Sequence, residues 1–186
     1  MRAKTCAVLA AVLLVPALAS AASPAGWFLA GKDPASYVME QDSKTAHEGK
    51  TSARFASTRE PKGFGTMMQS FEPGEYRGKR VRLSAFVKSK QIRGWAGLWM
   101  RVDGPEARPL AFDNMQGRPI QGTSDWKRYD VVLDVDDTAT GISFGVLLEG
   151  TGTLWLDEVK FQIVDASVPT TGVGSKRKPE NLDLER

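Results

Sequence analysis

The residues best suited to binding a ligand fall on one short stretch, residues 94–104, in which apolar and chemically functional side chains alternate. The apolar positions are Ala96, Leu98, Met100 and Val102, and the positions between them are Trp95, Gly97, Trp99, Arg101 and Asp103. A period of two is typical of a β-strand with one buried face, so the second set is predicted to face solvent. At about 3.3 Å of rise per residue, the two indoles would stand roughly 13 Å apart.

This outward set predicts a surface that binds a carbohydrate or another small polar ligand. An indole stacks on the C–H-rich face of a sugar ring, and Gly97 would leave backbone open to a close approach. The polar candidates are Arg101 and Asp103, with Arg82 and Glu149 if their strands are neighbours. Three alternatives stay open. The stripe could bind a protein partner in the bacterial envelope, its indoles could be buried under another segment, or Arg101 and Asp103 could form an ion pair that contacts no ligand.

Catalytic groups are sparse. His47 is the only histidine and Cys6 the only cysteine, so a nucleophile–histidine pair or a transition-metal site would have to use them. Paired carboxylates, as in glycoside hydrolases, stay an alternative because acidic residues are abundant, but no spacing singles out a pair. The chain is therefore predicted to be non-catalytic.

The N-terminus has the order of a secretory signal peptide. Arg2 and Lys4 precede an apolar run over 7–19, and Ala19-Ser20-Ala21 offers a cleavage site after Ala21. This run is too short to span a bilayer, which takes about 20 residues, so no membrane span is expected after cleavage. The protein is predicted to be exported, to the periplasm or outside the cell, without disulfides because Cys6 leaves with the signal.

Composition also indicates how the C-terminal end behaves and which class of partner to expect. Without Arg2 and Lys4 the chain has 23 basic and 22 acidic residues, so its charge gives no reason to expect a nucleic acid partner. Residues 167–186 combine Pro, Gly and charge without apolar periodicity, which predicts a disordered tail. The domain is therefore expected over 22–166.

Within that domain, short alternating stretches recur between Gly, Pro, Asp and Asn residues, and no stretch has a helical stripe. Clear stripes cover 80–88, 129–135 and 142–148, and weaker ones cover 37–42, 51–57, 65–71, 109–114 and 153–164. The last stretch changes phase, which predicts a β-bulge near Asp157-Glu158. Many short antiparallel strands indicate an all-β fold, a two-sheet jelly-roll β-sandwich.

Several motifs together resemble the CenC-type carbohydrate-binding modules, which have a galactose-binding-like jelly-roll fold. They are the His-Glu-Gly-Lys turn at 47–50, the Gly-Lys-x-x-x-Leu-Ser-x-x-Val-Lys strand at 78–88, Trp126, and Trp-Leu-Asp-Glu-Val at 155–159. The resemblance covers about 25–165 and implies a β-glucan or xylan ligand in a concave cleft. It also implies a structural calcium at Asp157. Val81 and Phe86 replace the usual Tyr and Trp, so sugar specificity is not implied.

Overall fold

A computed structural model describes residues 22–174, in which short 3-10 turns and β-strands are the regular elements. The strands are β1 (Phe28–Gly31), β2 (Tyr37–Asp42), β3 (Ser52–Ser57), β4 (Gly65–Phe71), β5 (Arg80–Asp103), β6 (Pro109–Asp113), β7 (Ile120–Asp134), β8 (Gly141–Val164) and β9 (Val173–Gly174). The predicted signal peptide and residues 175–186 of the predicted tail lie outside the described residues. Between residues 22 and 174, no helix is long and apolar enough to cross a membrane.

Two long strands, β5 and β8, belong to both layers of the sandwich. Their segments 94–103 and 141–150 pair in a front sheet ordered β1-β4-β8-β5-β6-β9. Their segments 80–90 and 153–164 pair in a back sheet ordered β2-β3-β8-β5-β7. All pairs are antiparallel, which confirms the predicted all-β, antiparallel β-sandwich.

Both long strands bend where they pass from one sheet to the other. Gly94 and Gly150 face each other at this bend, with φ of 100° and 98°. A Cβ on Gly150 would lie 2.0 Å from the Arg93 carbonyl oxygen, so only glycine fits there. The bend also changes which positions face inward, because Val81 and Leu83 are buried before it and Leu98 and Met100 after it.

The core lies between the two sheets and consists of the predicted apolar stripes. Its largest fully buried side chains include Phe55, Met67, Leu83, Leu98, Met100, Leu133, Ile142, Leu148 and Leu154. A single cysteine cannot form an intramolecular disulfide, so stability rests on burial of these side chains.

The predicted bulge near Asp157-Glu158 is confirmed. Ser84 pairs with Lys160 whereas Phe86 pairs with Asp157, so β8 holds one more residue than β5 between these pairs. Glu158 adopts a φ of 49°, and the apolar phase of β8 changes at this residue.

The start of the predicted tail was placed too early. The Thr171 hydroxyl donates to Asp113 Oδ2 (2.5 Å), its backbone N–H donates to Val132 O (2.9 Å), and β9 pairs with β6. Residues 167–174 are therefore part of the sandwich. Composition did not indicate this because residues 167–172 bury little apolar surface and are held by hydrogen bonds of Thr171 to the buried Asp113 carboxylate and to the Val132 backbone.

Candidate functional site

The outer face of the front sheet carries most of the predicted site. Residues that pair across the strands form rows on this face. One row runs from Phe28 through Met68 and Gly145 to Trp99, and the next runs from Thr66 through Leu147 to Gly97. Beyond them, Glu149 pairs with Trp95. Arg101 and Asp103 continue the same face toward the far end of β5. Five of the six predicted ligand residues thus lie on one face.

Arg82 is not brought to this face. It precedes the bend in β5, so its side chain points outward from the back sheet, where its Nε is 4.0 Å from Asp130 Oδ2. The prediction that it joins the tryptophans is wrong because residues before and after the bend have outer faces on opposite sides of the sandwich.

Trp99 does not offer an open aromatic surface, since only 8% of the residue is exposed. Its Nε1–H donates to Thr66 Oγ1 (2.8 Å), and the Thr66 hydroxyl donates to Val146 O (3.0 Å). Thr66 lies on β4 and Trp99 on β5, with β8 between them, so the indole crosses β8. Gly145 is the direct cross-strand neighbour of Trp99, and a Cβ there would lie 2.1 Å from the Met67 carbonyl oxygen of β4. Trp99 thus ties three strands together.

Trp95 is the accessible indole of the predicted pair. It is half-buried, and its Nε1–H donates to Oε2 of the exposed Glu149 (3.1 Å). The bond fixes the ring orientation and leaves the second carboxylate oxygen for ligand hydroxyls. Beside it, the Gln121 side-chain amide donates to Gly94 O (3.2 Å). Gln121 was not predicted from the sequence, because its position beside Trp95 depends on how β7 pairs with β5.

Arg101 and Asp103 form an ion pair at the far end of the face. Arg101 Nε donates to Asp103 Oδ2 (3.1 Å) and lies 3.0 Å from Oδ1. Asp103 is buried, whereas 43% of the Arg101 side chain is exposed. Six residues of strand separate Arg101 from Trp95, roughly 20 Å, so the two cannot contact the same sugar ring.

Gly97 is buried and serves the fold. A Cβ there would lie 2.4 Å from the Asn114 carbonyl oxygen, so glycine admits the chain that follows β6. The open backbone predicted between the tryptophans is absent at this position.

Asp157 anchors a turn of the chain that folds onto the back sheet. Its Oδ2 accepts the backbone N–H groups of His47 (2.8 Å) and Glu48 (3.2 Å), and its Oδ1 accepts that of Glu158 (2.8 Å). Three backbone N–H groups thus donate to this carboxylate, and the structural calcium that the resemblance implies at Asp157 stays a prediction. Within residues 22–174, no group of three His, Cys, Asp or Glu side chains could hold a metal.

His47 completes this anchor. Its ring stacks on Phe86 with centroids 3.7 Å apart, and its Nδ1 lies 2.6 Å from Glu158 Oε2. Hydrogen bonds from Lys160 and His47 lower the pKa of Glu158. The histidine is therefore part of a structural cluster on the back sheet.

We expect Asp157→Ala to release the turn, because two backbone N–H groups lose their acceptor. The free energy of unfolding should fall by about 1–2 kcal/mol, and the amide protons of His47 and Glu48 should exchange with deuterium faster. Asp165→Ala is the control, since Asp165 is exposed and accepts hydrogen bonds from Ser167. Equal exchange in both variants would contradict the anchoring role.

Comparison with known sequences gives a relative of undefined activity. The chain is 47% identical over 166 residues to "Uncharacterized HTH-type transcriptional regulator YbfP" of Bacillus subtilis (strain 168). The match covers 86% of this chain and 56% of the relative, so the chain spans little more than half of that protein. No family model matches the chain.

Similar solved structures include the enzymatically active domain of bacteriophage CBA120 tailspike protein 4, which is 12% identical with a TM-score of 0.59 over 75% of this chain and 20% of that chain. They also include several carbohydrate-binding modules. The CBM22-1 xylan-binding domain of Paenibacillus barcinonensis Xyn10C is 16% identical, with a TM-score of 0.55, over 77% of this chain and 89% of that chain. TmCBM61, solved with beta-1,4-galactotriose, is 14% identical, with a TM-score of 0.52, over 76% and 91%. At such identities the likeness shows the fold, a β-sandwich like those of carbohydrate-binding modules. The finer resemblance to CenC-type modules stays a prediction.

Proposed function

We propose that the protein binds a carbohydrate, without chemical conversion, on the outer face of the front sheet around Trp95 and Glu149. The observation that carries the proposal is the half-buried indole held by an exposed carboxylate at 3.1 Å. The similarity in fold to a xylan-binding domain and to a module solved with galactotriose supports it.

Each group has a distinct task in this proposal. The Trp95 ring stacks on a sugar, Glu149 accepts its hydroxyl groups, and the Gln121 amide oxygen accepts a further one. The exposed Arg101 guanidinium contacts a more distant part of an extended chain, which favours an oligosaccharide over a single sugar. Export through the signal peptide at 1–21, and relationship to the CenC-type modules, belong to the same proposal.

The distance between the two carboxylates of this face, Glu149 and Asp103, supports a non-catalytic role. A glycoside hydrolase uses two carboxyl groups about 5–10 Å apart. Glu149 pairs with Trp95 and Asp103 lies eight residues further along β5, which is roughly 26 Å of strand. Asp103 is also engaged by Arg101.

The test is affinity electrophoresis in gels that contain xylan, β-glucan or β-1,4-galactan, followed by titration calorimetry with matching oligosaccharides. Trp95→Ala should weaken binding about 30-fold, the effect of removing an aromatic anchor worth about 2 kcal/mol. Trp126→Ala is the matched control, because Trp126 is also half-buried but lies on the back sheet. It should bind as the parent does.

Both variants must keep the far-UV circular dichroism spectrum of the parent protein. Equal binding by Trp95→Ala and the parent would refute the site. Failure of the parent to bind any glycan in a broad array would refute the function, and capture of a protein partner through Trp95 would favour the interaction alternative.

A further inference from the structure

A groove lies beside the bend at which β5 and β8 change sheets, and its residues Arg93 and Thr151 are two positions from Trp95 and Glu149 along those strands. It has a volume of about 480 Å³ and is lined by Arg54, Lys90, Arg93, Thr151, Thr153 and Trp155, among others. Lys90 pairs with Thr153 and Arg93 with Thr151, so the two cations lie on β5 opposite two threonines on β8. Nearby, Ser57 is bonded to Gly152 N (3.0 Å) and holds β3 against the bend.

The charge of this groove is positive and largely uncompensated. Lys90 and Arg93 are exposed, and neither forms an ion pair with any residue between 22 and 174. Of the acidic residues nearby, Glu40 pairs with Arg54 (2.5 Å) and Asp42 accepts the Trp155 indole N–H (2.8 Å). Glu149, two residues from Thr151 on β8, accepts the Trp95 indole N–H (3.1 Å) and forms no ion pair with either cation. Two cations are therefore free to bind an anion from solvent.

We infer that this groove binds a carboxylate-bearing sugar of an acidic polysaccharide, with Lys90 and Arg93 holding the carboxylate. The volume falls within the range of ligand pockets, about 300–1,000 Å³, which suits a sugar unit better than a lone inorganic anion. Thr151 and Thr153 are placed to bond sugar hydroxyl groups beside the charged one. Trp155, 9% exposed, also lines the groove. Trp95 is not among the residues that line this groove, so we expect the two sites to bind their ligands separately.

The test uses affinity electrophoresis with polygalacturonate and with its fully methyl-esterified form, which has the same backbone without charge. The parent should be retarded by the first and not by the second. Lys90→Gln/Arg93→Gln should weaken binding of polygalacturonate about tenfold, and raised salt should weaken binding by the parent. Lys79→Gln/Arg108→Gln is the control, since it removes the same two charge types from exposed positions outside the groove.

Equal loss in both double variants would overturn the site, because net charge alone would then explain retardation. Equal retardation by the esterified polymer, or full competition by millimolar inorganic phosphate, would overturn the assignment to a carboxylated sugar. Trp95→Ala separates the two sites, since it should weaken binding of neutral glycans about 30-fold and leave binding of polygalacturonate unchanged.

Discussion

Replacing Gly150 with alanine is expected to destabilise the protein by about 3 kcal/mol or more, the largest effect predicted for a single methyl group in this chain. The added Cβ would lie 2.0 Å from Arg93 O and 3.3 Å from the Cα of Gly94, and both neighbours are backbone. Alanine at a φ of 98° is also strained. Because both sheets meet at this bend, no local shift of a flexible side chain can relieve the clash.

Urea denaturation followed by tryptophan fluorescence measures this loss. Gly141→Ala is the matched control on the same strand, because a Cβ there meets no heavy atom within 4 Å and Gly141 has no positive φ. The control should change stability by less than about 1 kcal/mol. Similar urea midpoints of unfolding for Gly150→Ala and Gly141→Ala would show that the bend tolerates a side chain at Gly150.

Replacing Asp113 with asparagine should have the second largest effect on stability, a loss of about 2 kcal/mol. This buried carboxylate accepts two hydrogen bonds from Arg118 (3.1 and 2.6 Å), one from the Thr171 hydroxyl and one from the backbone N–H of Met115. It therefore holds the loop after β6 and the C-terminal segment to the sandwich. Asparagine keeps the size of the side chain but loses the charge and one acceptor oxygen.

The same carboxylate makes stability depend on pH. Burial opposes its ionisation, but the hydrogen bonds from Arg118, Thr171 and Met115 prevail and lower the pKa of Asp113 below the usual 3.8. A group with a lowered pKa in the folded state stabilises above its unfolded pKa, and this contribution is lost as the pH falls through the folded value. The difference in unfolding free energy between the parent and Asp113→Asn should thus be full at pH 7. It should shrink below about pH 4, and a difference independent of pH would contradict this assignment.

The strands were predictable from the sequence because their information is local. Alternation at 81–87, 131–135 and 142–148 identifies the buried face of each strand, and the phase change in β8 revealed the bulge at Glu158. A buried face requires apolar residues at every second position wherever the strand lies in the sheet. The short β1 and β9 were missed, since neither is long enough to display a period.

The candidate site was only partly predictable, because accessibility depends on neighbours distant in sequence. Trp95 and Trp99 have the same parity on one strand, yet the Trp99 indole crosses β8 and donates to Thr66, and Trp99 is buried as a result. Trp95 instead meets Glu149 and stays half-exposed. No local pattern separates these two indoles.

Strand periodicity is a property of consecutive residues, so the all-β chain, the inward face of each strand and the stripe that bears Trp95 could be read locally. The bends of β5 and β8 at Gly94 and Gly150, which place Arg82 and Arg101 on opposite faces of the sandwich, depend on pairing with distant strands. The tertiary structure also brought Arg54, Lys90 and Arg93 from two strands to one groove. Pairing between strands that are distant in sequence determines both the faces of these arginines and the lining of the groove. That pairing forms only when the two sheets pack around a common core.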